Sequence, residues 1–354
     1  MGFIKGNDDV ARTIKNIDDE TNANATSLND LTDGTTNGGD NNLGFGEDAL
    51  LNVTSAGNCI AIGKHALMST TTQGSNVAIG QYALKSTTSS MSVAIGTQAS
   101  QNALSGVSVA IGYRALVNST NSQGNVAIGP LAMEGPIGAS GGGNNTAVGY
   151  LVMKENRTGG HNTALGYRAL EFNTDSDYNV AVGSDALRQA VSGASNVAVG
   201  HQALFTTGTS DENVAIGKDA LRTLGNGIGK NTSVGYRSLY FNSTGNENVS
   251  IGHKAGYNMT AGDNNVIIGS GIDAVSTTGS NQLNIGNWIH GSNGNISATT
   301  GTTTMTDGFF HIPAASGIPT GVPTSVTGSV PMYYDSTNNH FYVYNGSWRK
   351  VALT

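Results

Sequence analysis

The chain repeats one short pattern of hydrophobic and polar positions along most of its length. Each unit reads like Asn76-Val77-Ala78-Ile79-Gly80, followed by two variable residues, an Ala-Leu pair and a polar stretch of Ser, Thr, Asn and Gly. Val77 and Ile79 alternate with the smaller or polar residues, and this period of two predicts a short β-strand. Each unit is therefore predicted to contribute one strand.

The glycine that closes each predicted strand recurs at nearly fixed intervals of 16 to 20 residues, most often 17. These glycines are Gly46, Gly63, Gly80, Gly96, Gly112, Gly129, Gly149, Gly166, Gly183, Gly200, Gly217, Gly235, Gly252, Gly269 and Gly286. Seventeen residues are too few for a domain but suit one coil of a solenoid whose strands pair with the coils above and below. The sequence predicts an all-β fold, a parallel β-solenoid of about 15 coils of ~17 residues over 41–290.

The two sides of the predicted strand differ in side-chain size. We expect Val126 and Ile128 to form aliphatic ladders inside the roll, and Ala127 and Gly129 to form a small-residue face that another chain can approach closely. An Asn begins the strand in ten of the units between Asn76 and Asn265. These Asn side chains are expected either to form an amide ladder along the solenoid axis or to satisfy a turn.

The segment before the repeats, 1–40, carries an apolar heptad pattern. Its seam positions are Ile14, Ile17, Thr21, Asn24, Leu28 and Leu31. This spacing predicts a short helical stem that forms a trimeric coiled coil, with Asn24 as a polar layer that sets register and strand number. Three heptads are few, so an amphipathic arm without a partner is the alternative.

After the repeats, a Gly/Ser/Thr linker at 291–308 leads to a compositionally different segment at 309–354. Aromatic residues concentrate here, and short alternating runs separated by turn residues predict a small C-terminal β module. Its candidate receptor-binding residues are Tyr333, Tyr334, Tyr342, Tyr344, Trp348 and Arg349. Aromatic and Arg side chains often anchor recognition surfaces, although core packing alone explains half of these aromatics.

Charge and composition narrow the classes of partner. The net charge is −7, and 17 Lys and Arg are scattered singly, which predicts no nucleic-acid binding. The single cysteine, Cys59, cannot form an intrachain disulfide. No apolar stretch approaches the length of a membrane span, and the first residues lack the apolar region of a signal peptide, so we expect no membrane insertion.

Enzyme chemistry has no recognisable motif in this chain. The histidines never pair with Cys or carboxylates at metal-ligand spacing, and we predict no metal site. Asp175-Ser176-Asp177 and Asp211-Glu212 are expected to be solvated turns. We therefore predict no catalytic residues, no cofactor and no enzyme activity. The variable pairs after each glycine, such as Tyr113-Arg114, are predicted to be solvent-exposed corners that could contribute to recognition.

Units such as Asn196-Val197-Ala198-Val199-Gly200 resemble the head repeats of trimeric autotransporter adhesins and related repeats of phage tail-fibre proteins. The resemblance covers roughly 43–290 and implies a left-handed parallel β-roll that trimerises. The unit here is a few residues longer than the usual adhesin unit, and the lack of a secretion signal and membrane anchor favours the phage version. The segment from Met332 to Trp348 also resembles a C-terminal module common in phage tail and fibre proteins.

These features together predict a homotrimeric structural fibre of a virion, a phage tail or head fibre that mediates adhesion to the host cell surface. The expected partners are other virion tail or baseplate proteins through the N-terminus, and a host surface glycan or protein. Two alternatives from other classes stay open: a cellular adhesin or self-assembling extracellular filament, located outside the cell or on its surface, and a surface-polysaccharide depolymerase, which needs paired carboxylates.

Overall fold

The computed structural model describes 41–102, 106–120, 123–137, 142–225 and 229–287, and the short segments 289–292, 295–298, 314–315, 332–335, 340–344 and 347–351. The chain divides into two compact units, 1–299 and 300–354. The predicted stem residues Ile14, Ile17, Asn24, Leu28 and Leu31 lie outside the described residues. In the part of the chain that is described, no helix has the length and apolar character needed to cross a bilayer.

The first unit is a parallel β-solenoid, and its strands fall where the repeat predicts them. In chain order they are β1 (Leu43–Phe45), β2 (Ile60–Ile62), β3 (Val77–Ile79), β4 (Val93–Ile95), β5 (Ser108–Ile111), β6 (Asn125–Ile128), β7 (Thr146–Val148), β8 (Thr163–Leu165), β9 (Val180–Val182), β10 (Gln189–Ala190), β11 (Val197–Val199), β12 (Thr206–Gly208), β13 (Val214–Ile216), β14 (Thr232–Val234), β15 (Val249–Ile251), β16 (Val266–Ile268) and β17 (Gln282–Ile285). All except β10 and β12 form one in-register parallel sheet, in which Val197 pairs with both Val180 and Val214. The predicted all-β solenoid, with about fourteen turns, is confirmed.

Eight strands lie outside the in-register parallel stack. Strands β10 and β12 form a separate two-stranded parallel sheet on another side of the coils. Strands β18 (Ile289–Ser292) and β19 (Asn295–Ala298) continue the main sheet in antiparallel fashion after β17. In the second unit, β20 (Ala314–Ala315), β21 (Met332–Asp335), β22 (His340–Tyr344) and β23 (Trp348–Val351) form their own four-stranded sheet.

The strands turn their small residues inward, which reverses the predicted orientation. Ala127 is fully buried, whereas Val126 and Ile128 on the same strand are only partly buried. The prediction that Val126 and Ile128 lie inside the roll was therefore wrong. The interior is narrow and already holds the strand Ala and Asn together with the Ala-Leu pair that follows the glycine, so it has no room for a β-branched side chain from every strand.

The glycine column explains why this residue recurs in every coil. Gly200 has a φ of +133°, and a Cβ placed there would lie 2.7 Å from the carbonyl carbon and oxygen of Gly217 in the next coil. Only glycine tolerates both this backbone conformation and this approach. The small-residue face predicted to meet another chain is covered within one chain, because the Gly129 backbone meets Gly149 of the next coil and Ala127 is fully buried.

The Asn at the start of the strand forms a buried ladder. The Asn196 backbone N–H donates to Asn179 Oδ1 at 2.9 Å, and Asn196 Nδ2 donates to the same oxygen at 3.2 Å and to the Ser210 carbonyl at 2.8 Å. Asn213 repeats these bonds onto Asn196 Oδ1. Both expected roles are therefore filled at once, because one side chain continues the amide ladder and satisfies a turn carbonyl.

Two unusual residues in neighbouring coils show how completely side chains fill the interior. The column of buried leucines is interrupted at Gly256, and the column of buried alanines carries Ile267 in the following coil. A Cβ on Gly256 would lie 3.2 Å from Ile267 Cδ1, so the isoleucine fills the space that a leucine would take. The two departures from the repeat compensate each other and keep the interior densely packed.

Candidate functional site

The outward side of the parallel sheet is an uncharged apolar surface. Its two columns are Leu43, Ile60, Val77, Val93, Val109, Val126, Thr146, Thr163, Val180, Val197, Val214, Thr232, Val249, Val266 and Leu283, and Phe45, Ile62, Ile79, Ile95, Ile111, Ile128, Val148, Leu165, Val182, Val199, Ile216, Val234, Ile251, Ile268 and Ile285. We call this surface the aliphatic face. Three threonines are its only polar members, and Ile62 and Leu165 are 37% and 48% exposed. Continuous exposed apolar surface of this kind marks interaction sites.

The pair of residues after each glycine forms a corner of the coil, which we call the first corner. The Ala66 N–H donates to the Gly63 carbonyl at 3.2 Å and closes a four-residue turn. Within such turns His65, Tyr82 and Arg114 have φ values between 55° and 60°, a left-handed conformation that non-glycine residues rarely adopt. The backbone is therefore the same in each coil while the side chains vary, as the sequence predicts for an exposed corner.

Rings at the first corner stack from one coil to the next. The stacked pairs are His65 with Tyr82 at 5.0 Å between centroids, Tyr150 with Tyr167 at 5.9 Å, and Tyr236 with His253 at 5.2 Å. Arg168 and Arg237 also lie over the rings of Tyr167 and Tyr236. Side chains that are 17 residues apart in sequence thus stack in pairs on neighbouring coils.

The residues that come directly after the buried Leu-column positions form a second column of aromatic and charged side chains. Its members, which we call the arginine-aromatic ladder, are Glu171, Arg188, Phe205, Arg222, Tyr240 and Tyr257. Arg188 Nε lies 2.6 Å from Glu171 Oε2, and the Phe205 ring contacts the guanidinium groups of both Arg188 and Arg222 at 5.7 and 5.3 Å. Sequence reasoning missed this ladder, although comparing the residue two places after the Ala of each Ala-Leu pair, coil by coil, would have shown it.

A groove runs beside this ladder across four consecutive coils. It has a volume of about 600 Å³ and is lined by two columns, Glu155, Phe172, Gln189 and Thr206, and Arg157, Thr174, Val191 and Gly208. Strands β10 and β12 contribute to its floor. Phe172 and Val191 are exposed at 38% and 45%, so the groove combines apolar and polar walls. We call it the axial groove.

No family model, curated protein or solved structure significantly matches the chain. The resemblance to adhesin and tail-fibre repeats therefore stays a prediction. The features of the described residues that bear on function are the aliphatic face, the first corner, the arginine-aromatic ladder and the axial groove.

One histidine does meet carboxylates, contrary to the prediction from spacing. Ligand atoms of Glu47, Asp48 and His65 all lie within 4.8 Å of one another across two coils. The Lys64 ammonium lies 2.7 Å from Glu47 Oε2, which lowers the pKa of Glu47 and raises that of Lys64. This lysine already balances the charge of Glu47, and the cluster lies at the partly exposed surface of the two coils.

The carboxylates that the sequence singled out lie at turns, as predicted. Asp177 Oδ1 accepts a hydrogen bond from the Gly160 N–H at 2.6 Å, and Asp211 Oδ1 accepts one from the Ala194 N–H at 2.7 Å. Asp175 accepts from the Thr158 hydroxyl at 2.9 Å. Each carboxylate satisfies a polar group of the preceding coil and has a structural role.

The C-terminal module places the predicted receptor residues on three strands. The register pairs Tyr333 with Tyr342 and Tyr344 with Trp348. Tyr342 is only 8% exposed, whereas Arg349 is exposed. The Tyr342 side chain therefore packs inside its unit, and the receptor role of this module stays a prediction.

Proposed function

We propose that this chain is a structural fibre protein of a virion, a phage tail or head fibre, that assembles as a homotrimer and mediates adhesion to the host cell surface. The aliphatic face carries the proposal. In this proposal the coils are left-handed, the N-terminal segment attaches to other tail or baseplate proteins, and the chain has no enzymatic activity.

The length and apolar character of the aliphatic face favour a partner surface of similar length. Fifteen strands at the ~4.8 Å spacing give a face about 70 Å long. All thirty of its outward positions lack charge. Monomeric proteins rarely expose a contiguous apolar patch of more than a few hundred Å². A second and third copy aligned in parallel present the same chemistry coil by coil, and a closed ring leaves none of the face exposed.

Two surfaces that do not belong to the aliphatic face support the adhesive role. The first corner and the arginine-aromatic ladder vary from coil to coil while the backbone beneath them stays constant. Aromatic and Arg side chains are enriched where proteins recognise partners. Three copies of each weak contact in one fibre convert low single-site affinity into avidity.

The assembly is tested by light scattering coupled to gel filtration. The expected solution mass is about three times 36.1 kDa. The double variant Ile79→Glu with Ile111→Glu puts two charges where the proposed trimer would bury them, and it is expected to be monomeric. The matched control, Gln81→Glu with Tyr113→Glu, moves the same charges two residues along to the first corner and should keep the mass. A monomeric wild type, or a face variant of unchanged mass, contradicts the proposal.

The adhesive role is tested with the fluorescently labelled full chain on a panel of bacterial strains, together with antibody labelling of phage particles under the electron microscope. Saturable binding to particular strains and labelled tails or head fibres support the proposal. End-to-end polymers of the purified chain would instead indicate a filament protein. Release of reducing ends from surface polysaccharide would indicate a depolymerase.

A further inference from the structure

The axial groove lies on the side of the coil away from the aliphatic face. Gln189 and Val191 fall about midway along the chain between β9 and β11. The fully buried side chains of Leu187 and Ala190 belong to the interior beneath this segment. A groove in this position stays open to solvent when copies of the chain cover the aliphatic face.

The groove offers an aromatic surface that is held in place. Phe172 is 38% exposed, and the Arg188 guanidinium lies over its ring at 5.5 Å from the centroid. Arg188 is itself fixed by Glu171 at 2.6 Å and by Asp185 at 3.6 Å. A ring ordered in this way loses little conformational entropy when a ligand stacks on it. The C–H face of a pyranose ring is the ligand surface that stacks on such aromatics.

Polar groups suited to sugar hydroxyls surround this ring. The Thr206 hydroxyl donates to Gln189 Oε1 at 3.3 Å, which orients the amide, and no described residue accepts a hydrogen bond from Gln189 Nε2. The Glu155 carboxylate, held by Lys154 Nζ at 2.9 Å, offers further acceptor positions. A sugar hydroxyl both donates and accepts, so it can bond to an amide N–H and a carboxylate together.

The shape and charge of the groove indicate what kind of sugar fits. Four coils at ~4.8 Å make a groove about 14 Å long that runs parallel to the solenoid axis. Among its lining residues one carboxylate, Glu155, is matched by one guanidinium, Arg157, while the whole chain carries a net charge of −7. A linear, uncharged ligand matches this balance better than an acidic one, which the overall charge would repel.

We propose that the axial groove binds a short neutral oligosaccharide, with one pyranose ring stacked on Phe172. The inference rests on the proposed adhesive function, since it names the class of surface molecule that the fibre would contact. Each protomer would contribute one such site.

The test is a glycan array that carries neutral and acidic oligosaccharides, probed with the full chain, followed by calorimetric titration of the neutral oligosaccharide retained most strongly. Phe172→Leu keeps an apolar side chain but removes the flat ring, and it should weaken binding about tenfold. Gln189→Met keeps the length but removes the amide, and it should also weaken binding. The matched control is Phe241→Leu, which changes an exposed ring at the same coil position outside the groove.

Retention of no neutral oligosaccharide, retention of acidic ones alone, or unchanged affinity of Phe172→Leu would overturn the inference. Cell adhesion of the same variants separates this result from the proposed function. If the wild type and Phe172→Leu adhere equally, the groove is not the adhesive site although the fibre is adhesive. If the array signal depends on Phe172 while the wild type adheres to no strain, the groove binds sugar and the adhesive function is wrong.

Discussion

The two sides of a single strand obey opposite rules. In β11, Ala198 is completely buried, while Val197 and Val199 on either side of it are only partly buried. The larger hydrophobic residues thus lie outside and the smaller one inside. In a coil this narrow, side-chain volume decides what the interior accepts, and the apolar residues that exceed it form a surface suited to other chains.

The glycine column gives the largest expected effect of adding side-chain volume where two coils meet closely. Gly200→Ala adds a Cβ 2.7 Å from the Gly217 backbone at a φ of +133° and should lower the free energy of unfolding by about 3 kcal/mol or more. The matched control is Gly271→Ala, where φ is +66° and no atom lies within 4 Å. It should cost only about 1 kcal/mol. Denaturant unfolding followed by circular dichroism measures both, and equal losses would contradict the close contact between coils.

The Asn ladder provides the next largest effect. Asn196→Ala removes the acceptor of the Asn213 backbone N–H and the donor to the Ser210 carbonyl, both in the buried interior. The loss of these two buried hydrogen bonds should cost about 2 to 4 kcal/mol. Asn196→Ser should cost less, because Ser92 holds the same column position in another coil. Faster hydrogen exchange of the Asn213 amide would localise the effect, and an unchanged rate would argue against the ladder.

The contrast between the two sides of the strand can be tested directly on β11. Ala198→Val forces two extra methyl groups into the interior and should cost about 1 to 3 kcal/mol. Val199→Ala removes two methyl groups from the partly exposed side and should cost less than about 1 kcal/mol within a single coil. Equilibrium unfolding of both variants at the same protein concentration makes the comparison. A larger loss for Val199→Ala would mean that contacts with other chains dominate stability.

The spacing of the glycines was enough to predict the solenoid and the position of each parallel strand. The alternation of Val126, Ala127 and Ile128 could not predict which side faces inward, because a period of two fixes opposite faces without fixing their environment. That decision depends on the volume enclosed by the whole coil, including the Ala-Leu pair beyond the turn. The left-handed backbone conformations of Tyr82 and Arg114 could not be predicted from the sequence either, since neither residue type favours them.

The candidate sites were predictable only in part, because the repeat pattern does not show which side chains meet between coils or stay exposed. The variable pairs of the first corner were found because they interrupt a constant pattern. The contacts of Phe205 with Arg188 and Arg222 depend on an in-register step from coil to coil, which places residues seventeen apart side by side. The axial groove depends further on Phe172 and Val191 being exposed in neighbouring coils, a property of packing that no local motif encodes.

The smallest predicted effect concerns a gap in the Asn ladder. Cys59 takes the ladder position in the second coil, where its N–H donates to Asn42 Oδ1 at 2.9 Å and its Sγ lies 3.7 Å from the Gln73 carbonyl. The Asn76 backbone N–H meets this sulfur, which is a weak acceptor, and burial raises the pKa of the thiol. An asparagine here could accept from Asn76 and donate to Gln73, as the other ladder residues do.

Cys59→Asn should therefore raise the free energy of unfolding by about 1 kcal/mol at neutral pH, as measured by denaturant unfolding. The advantage should grow with pH. A thiol whose pKa is raised in the folded chain stabilises it fully only below the pKa of the unfolded thiol, about 8.5, and that stabilisation is lost as the pH rises toward the folded value. Cys59→Ser is the matched control, because it removes the thiol without supplying the amide, and it should share the pH trend but gain less at neutral pH. If Cys59→Asn were less stable than the wild type at every pH, the ladder position would be selected by volume alone, as the strand alanines are, and the hydrogen-bond account of the interior would fail in this coil.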